Sequence, residues 1–419
     1  VFASSVSARA DDTTTDVAQT CQEVFSMAKT CNVALLGQGF MGRTHSNAYL
    51  KVAKFFDLPL NPVMYCTAGL PAEKPYVFAE RWGWQNSSED WKKVANDPAV
   101  DLVDIVSPNN MHAPMAIEAL KAGKHVACEK PLSANLAEAR KMVELAKQKR
   151  AKTFVWYNYR RCPAVGLAHR LVKAGKIGRL YHVRCVYLQD WAGPDVPLLW
   201  RFDKKLAGSG AHGDLNAHII DMARFVTGDE IAEICGAISE TFIKARTRPA
   251  ALAAGGIAAG SKGGAKKGKV TVDDAVLFLA RFKRGAVASF EATRFATGCK
   301  NWNGFEIHGE KGALRFNFED MNRLHYYDAT AHPSVQGWTD IMCTDGSHPY
   351  VANWWPAAHI LGYEHGFINH AADIMRVLAG KKPELPVVTF EDAYETQRVL
   401  EAALLSAERR KPVPLAQVK

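Results

Sequence analysis

Gly37-Gln38-Gly39-Phe40-Met41-Gly42 falls between a short apolar run, NVALL, and a helix-like run, GRTHSNAYLKVAKFF. A G-x-G-x-x-G between strand and helix narrows the fold more than any other feature of the chain. The first glycine permits a tight turn, the second lets backbone approach a pyrophosphate and the third lets helix and sheet pack closely, with the helix N-terminus facing the phosphates. The unit then repeats. PVMYCTA reads as a strand, KPYVFAERWG as a helix, DLVDIVSP as a strand and MHAPMAIEALKAG as a helix ending at Gly123; HVACEKP and KTFVWYNYR complete the series. Alternation of this length predicts a parallel sheet covered on both faces. An α/β fold with a doubly wound Rossmann domain over residues 27–150 is expected, built to bind a dinucleotide.

Past Arg161 the pattern changes. One helical run, AVGLAHRLVKAGKIG, leads into the long alternating strand RLYHVRCVYLQDW, and GDLNAHIIDMARFVTG is again helical. EICGAISETFI, the pair of strands around Lys283-Arg284-Gly285, FEIHGEKGALRFNF and LHYYDA follow, and two helical runs close the chain. Strands joined by short turns predict an α+β domain over 151–419 with a large open, mostly antiparallel sheet. A chain of 419 residues has room for these two domains.

Charge and cysteine exclude some function classes. Of the net +9, seven basic residues against one acid fall from Glu240 to Val270, six of the seven in ARTRPAALAAGGIAAGSKGGAKKGK. Without periodicity, this reads as a solvated flexible loop over about 244–269 and not as a nucleic-acid groove. No apolar run approaches the ~18 residues of a membrane span, so a soluble protein is expected. Nine cysteines lack C-x-x-C spacing and His partners, which argues against a metal site and for a reducing, cytoplasmic setting. Residues 1–26 read as a disordered leader before a functional start at Met27, with a trimmed signal remnant as the competing reading.

Two polar constellations stand where a ligand would lie. Lys130, in CEKP, follows a strand at the carboxyl edge of the sheet, and Pro131 fixes the turn. A crowded lysine there can share a substrate hydroxyl proton; spacing alone does not separate this from a solvated lysine. Asp214 and His218 lie one turn apart, beside the apolar stripe Leu215, Ile219, Met222 and Val226. An imidazole accepts the proton when an alcohol is oxidised near neutral pH, and a nearby carboxylate can orient it. A structural hydrogen bond is the competing reading. A sugar pocket also needs hydrogen-bonding groups interleaved with aromatic planes; Tyr159, Arg160, Gln189, Asp190, Trp191 and Arg201 are the candidates, with Lys300 and Asn301 behind them. The second strand ends Cys66-Thr67-Ala68-Gly69, with neither the acid that selects NAD nor a base for NADP; the missing arginine favours NAD and leaves NADP open.

Taken together, GQGFMGRTHSNAY, IVSPNNMHAPMAIEALKAGKHVACEKPL, GRLYHVRCVYLQDW and GAHGDLNAHIIDMARFVTG make the chain resemble the Gfo/Idh/MocA oxidoreductases from Met27 to Leu415. The resemblance implies a catalytic group of Lys130, Asp214 and His218. It implies a cofactor set of Gly37, Gly39, Phe40, Met41, Gly42, Thr67, Ser107, Pro108, Asn109, His112, Glu129 and Lys130. YLQDW, LLWRFDKKLAGSGAHGD, EATRFATGCKNWNGFEIHGEKGAL and NWWPAAHILGYEHGF are similar to the branch that oxidises the 3-hydroxyl of glucosides and anhydrosugars. The chain departs from that pattern at His212, where an apolar residue is expected, and at Thr67-Ala68. The expected activity is nicotinamide-dependent oxidation of a ring hydroxyl, at C3, of a sugar or glycoside. Two alternatives share the site: an NAD-dependent glycoside hydrolase that recycles its cofactor through C3 oxidation and elimination, and a non-catalytic dinucleotide-binding sensor. In such proteins an open antiparallel sheet serves as a subunit interface, so the resemblance implies a homodimer or homotetramer.

Overall fold

The computed structural model describes residues 29–249 and 263–418, so the expected leader lies outside the described residues. The N-terminal sheet is all parallel: β1 (Thr30–Leu36), β2 (Asn61–Ala68), β3 (Asn86–Ser88), β4 (Leu102–Ile105), β5 (His125–Cys128) and β6 (Thr153–Val155), in the order β3-β2-β1-β4-β5-β6. Every residue of β4 and β5 but one is buried, as strands covered on both faces require. Strand order reverses between β1 and β4, and their carboxyl ends part to open a crevice. The sheet runs past the expected boundary at 150, because β6 pairs with β5, and the Val155 N–H then donates to Val388 O at 2.8 Å. The end of the chain thus returns to the first domain. Helix Phe390–Arg409 packs on helix Leu136–Lys149, and helix Tyr363–Leu378 on helix Phe40–Phe55.

The C-terminal sheet has nine strands. In chain order they are β7 (Leu180–Leu188), β8 (Ile231–Glu240), β11 (Ala275–Phe282), β12 (Val287–Thr293), β13 (Trp302–Gly309), β14 (Gly312–Asn317), β15 (Arg323–Asp328), β16 (Trp338–Met342) and β17 (Val413–Pro414). They are arranged β16-β15-β14-β13-β7-β12-β11-β8-β17, and every pairing is antiparallel except β7 with β12. That parallel pair needs a long crossover, and the chain between the two carries helix Ala217–Thr227 onto the sheet. Helices cover one face. On the other, Ile238 and Leu279 are 67% and 58% exposed, beside Leu277 and Val287.

Two expectations are corrected. The basic stretch is not a solvated loop along its whole length: β9 (Ala245–Pro249) and β10 (Gly263–Lys269) form an antiparallel ribbon, and 250–262 lie outside the described residues. Arg246 is 2% exposed, donates to the carbonyls of Ala192, Gly193 and Val196 at 2.6–2.9 Å and lies over the Phe202 ring. Its charge is answered by backbone, so it serves the fold and not a solvated surface. The helix containing Asp214 also does not start as an α-helix; His212–Asn216 form a π-turn before helix Ala217–Thr227.

Candidate active site

The glycine loop has the shape a dinucleotide needs. Gly37 has φ +116°, and a Cβ there would sit 2.9 Å from Val106 O; a Cβ on Gly42 would meet Gly37 O at 2.6 Å. Helix Phe40–Phe55, capped by Gly39, and helix Asn109–Lys121, capped by Pro108, both begin without a side-chain cap or an acid in the first turn. Both helices start from the carboxyl ends of the adjacent strands β1 and β4, a placement that suits a bound pyrophosphate. Other members of the expected cofactor set play supporting parts. His112 is buried with its ring nitrogens 2.9 Å from Pro131 O and 3.0 Å from Ser107 O, tying the two loops together. The Asn109 amide donates to Ala207 O at 2.9 Å. Thr67 is buried, with its hydroxyl accepting from the Gln38 amide at 3.2 Å, so it lies under the loop and does not reach a ribose. Beside it, Glu73 folds back so that Oε2 accepts the Leu70 N–H at 2.8 Å. The acid absent from the end of β2 is thereby present in the turn that follows.

Lys130 reaches across to the second domain. Its Nζ donates to Asp214 O at 2.8 Å and Asp214 Oδ1 at 3.1 Å. The lysine is therefore paired with a carboxylate, where the sequence reading had it merely crowded. Asp214 Oδ2 accepts from Arg294 at 2.9 Å, and the Arg294 guanidinium is itself buried against the Trp191 ring. Burial alone would raise the Asp214 carboxyl, but Lys130, Arg294 and Arg201 together hold it well below the usual carboxylate range. The π-turn sets this geometry. Asp273 accepts the Gly210 and His212 N–H groups at 2.8 and 2.7 Å, and His212 is held by Leu400 O and the Asn216 amide. The histidine at the unexpected position is thus a satisfied core residue, and a π-turn of this kind recurs at functional sites.

His218 follows one turn on, 7% exposed, with no partner for Nδ1. Burial first, and then the Lys130 ammonium, drive its imidazole well below the ordinary histidine value, against the weaker pull of Asp214. The ring is therefore held in its neutral form. The Tyr159 ring lies edge-on to it, centroids 4.6 Å apart. From there a ladder of hydrogen bonds runs along the wall. The Tyr159 hydroxyl is 2.8 Å from that of Tyr187, which donates to Asn301 Oδ1 at 2.8 Å; the Gln189 amide donates to the same oxygen at 2.9 Å, and the Trp191 indole to Gln189 Oε1 at 2.9 Å.

The remaining expected residues divide. Arg201 stacks on Trp200, and burial lowers its guanidinium even though Asp214 lies close by. Asp190 is held by Lys300 at 2.7 Å and Gly298 N at 3.0 Å, at the end of the ladder. Arg160 is not on the wall. It is buried in a bidentate pair with Asp221 at 2.6–2.7 Å and reaches Asp392, because its side chain turns into the helix interface. Sequence reasoning missed Arg294, Tyr187 and Tyr363. All three lie in stretches that carry the family resemblance, Tyr187 in YLQDW beside Gln189 and Asp190, but none was singled out there. Tyr363 stacks on Phe40, and its hydroxyl is raised by burial and then by Tyr159, Glu129 and Asp214. Among the described residues no cluster of potential metal ligands occurs, and no helix is long and apolar enough to cross a membrane.

Comparison with known proteins agrees with this architecture. Residues 31–157 match the NAD-binding Rossmann fold of an oxidoreductase family, and 165–315 the GFO/IDH/MocA C-terminal domain. Levoglucosan dehydrogenase of Pseudarthrobacter phenanthrenivorans is 40% identical over 391 residues, covering 92% of this chain and 98% of that one. An oxidoreductase domain protein from Kribbella flavida superposes with a TM-score of 0.86 at 46% identity, over 92% of this chain and 99% of its own. A levoglucosan dehydrogenase complex with NADH and levoglucosan superposes at 0.84 and 38% identity, with the same coverage. The chain belongs to the Gfo/Idh/MocA family of NAD-binding oxidoreductases.

Proposed function

We propose that the protein is an NAD-dependent dehydrogenase that oxidises the 3-hydroxyl of a pyranose ring, in a glycoside or an anhydrosugar. The carrying observation is a neutral histidine beside the Lys130 ammonium, flanked by a chain of hydroxyl and amide groups. His218 takes the hydroxyl proton. Lys130, steadied by Asp214, donates a hydrogen bond to the same oxygen and stabilises the charge that develops there. Nicotinamide, when bound, supplies the hydride acceptor. The Tyr159–Tyr187–Asn301–Gln189 ladder meets the neighbouring hydroxyls, and a wall of this kind rejects a ligand that leaves its polar groups unpaired. That a levoglucosan dehydrogenase of 40% identity spans the whole architecture supports an anhydrosugar or glucoside substrate.

The test is reduction of NAD and NADP over a panel of glucosides, anhydrosugars, inositols and free sugars. NADH accumulation with a C3 ketone as product is expected. Release of phenolate from a p-nitrophenyl glycoside without net NADH would establish the hydrolase instead, and tight NADH binding without turnover on any sugar would establish a sensor. The exposed apolar face bearing Ile238, Leu277, Leu279 and Val287 is covered in this reading by a second copy of the chain. Light scattering should then return a dimer or tetramer, and Leu279→Lys should shift the mass toward the monomer.

A further inference from the structure

Behind Lys130 runs a line of buried charge that the reaction above does not use. His45, on helix Phe40–Phe55, places Nδ1 2.8 Å from Asp104 Oδ2 and Nε2 3.1 Å from Glu129 Oε1, and all three residues are buried. Asp104, near the end of β4, is fixed in turn by the Tyr49 hydroxyl and the Trp156 indole, each at 2.9 Å. The imidazole packs against the tilted rings of Trp156 and Phe367, centroids 4.0 and 5.6 Å away. At the far end, Glu129 Oε2 accepts the backbone N–H of Lys130 itself at 3.0 Å.

We propose that His45 is a positioning residue for the catalytic lysine: bridging Asp104 and Glu129, it keeps the Glu129 carboxylate on the Lys130 backbone and away from the Lys130 ammonium. A carboxylate beside a lysine pairs with its ammonium unless a stronger partner holds it elsewhere. The Arg201 guanidinium feels the Glu129 charge, and Lys130 is the next residue in the chain. Anchoring one Glu129 oxygen on His45 leaves Lys130 Nζ free to pair with Asp214 and face the substrate. It also ties helix Phe40–Phe55, which starts at the glycine loop, to Lys130. The inference rests on the catalytic reading of Lys130 given above.

The groups facing His45 can be named from every side. Asp104 and Glu129 come from the N-terminal sheet, and Tyr49 comes from its own helix through Asp104. His370 comes from helix Tyr363–Leu378; burial first, then Arg161 and His45 itself, keep its ring neutral. Burial would lower His45, but the two carboxylates lift it to about 9.

The experiment compares His45→Phe, Asp104→Asn and Lys130→Met with the wild type, reading kcat against pH and the NADH dissociation constant by fluorescence. His45→Phe fills the space but binds neither carboxylate; kcat should fall at least roughly 30-fold while NADH affinity changes less than about threefold. Asp104→Asn keeps the shape and removes one charge, so the alkaline fall in kcat should begin about one pH unit lower than in the wild type. If Lys130→Met is dead but Asp104→Asn leaves the alkaline limb in place, or a folded His45→Phe keeps kcat within about threefold, this inference is overturned alone. Turnover in Lys130→Met would overturn the catalytic reading and this inference with it.

Discussion

The two domains each bury an imidazole at the crevice, and the two rings are in opposite states. His45, in the dinucleotide domain, lies between two carboxylates that outweigh burial and lift it to about 9. His218, in the substrate domain, has burial and an ammonium acting together, with Asp214's own oxygens already taken by Lys130 and Arg294; it is held well below the ordinary histidine value. Desolvation pushes both the same way, so the sign of the neighbouring charge decides. A ring held charged by two carboxylates cannot accept a proton, whereas a neutral ring with a free nitrogen can. In the proposed mechanism the first domain uses its histidine as a brace and the second as a base.

The sharpest way to break this contrast is His218→Ala. Loss of the base should lower kcat by roughly 10²- to 10⁴-fold while NADH affinity, measured by fluorescence, stays near wild type. Because His218 is already neutral, the acid limb of the wild-type kcat/KM profile should lie below pH 6.5, and a limb at the ordinary histidine value would contradict its assigned environment.

Arg294→Met tests the substrate side without touching either ring. It strips one of the cations from the part-buried Asp214 and removes one of the two donors to the Gly210 carbonyl, leaving the Asp214 N–H. Removing one partner of a buried pair costs about 3–5 kcal/mol, to be read from urea unfolding at pH 7. A cost under about 1 kcal/mol would mean that Asp214 is solvated, as a surface pair would be.

Stability against pH sharpens the comparison, since the two rings tilt it in opposite directions. The His45 value is raised on folding, so its contribution is complete below pH 6.5 and is lost as pH rises through about 9. With the imidazole raised from 6.5 to about 9, it is on the order of 3 kcal/mol. The His218 value is lowered, so its contribution is present above pH 6.5 and lost as pH falls below that. Urea unfolding of the wild type at pH 7 and 9.5 should show the alkaline loss, and His45→Phe should flatten it; an unchanged slope would mean that His45 is not charged in the fold.

This contrast also marks how far the chain could be read without coordinates. The glycine loop, the parallel sheet and the Lys130, Asp214 and His218 set stand out because each is a short-range pattern: a turn, a periodicity, a spacing of one helical turn. The brace does not, because Asp104, His45 and Glu129 come from three elements and no spacing links them. Arg160 was misplaced for the same reason: an arginine beside a strand end looks alike in sequence whether it turns to a ligand or, as here, to Asp221. The π-turn at His212 had no periodic signal, since Asp214 and His218 keep their one-turn spacing either way. The basic ribbon was read from composition, which cannot tell that Arg246 points inward onto three carbonyls.

The smallest expected effect concerns the cofactor side alone. The turn after β2 has no arginine to hold a 2′-phosphate, and its half-buried acid, Glu73, lies against the Leu70 N–H close to Gly69; Lys74, next in the chain, is exposed. A 2′-phosphate placed there would meet a like charge across partly screened solvent. Glu73→Gln keeps the loop's hydrogen bond and removes the charge, so the ratio of kcat/KM for NAD over NADP should fall about fivefold, by a gain on NADP and not a loss on NAD. The gain should shrink as salt rises, because screening already weakens the repulsion that the substitution removes. If the ratio stays put in both low and high salt, NADP is refused by shape at Thr67-Ala68-Gly69 and the carboxylate serves only to close the turn.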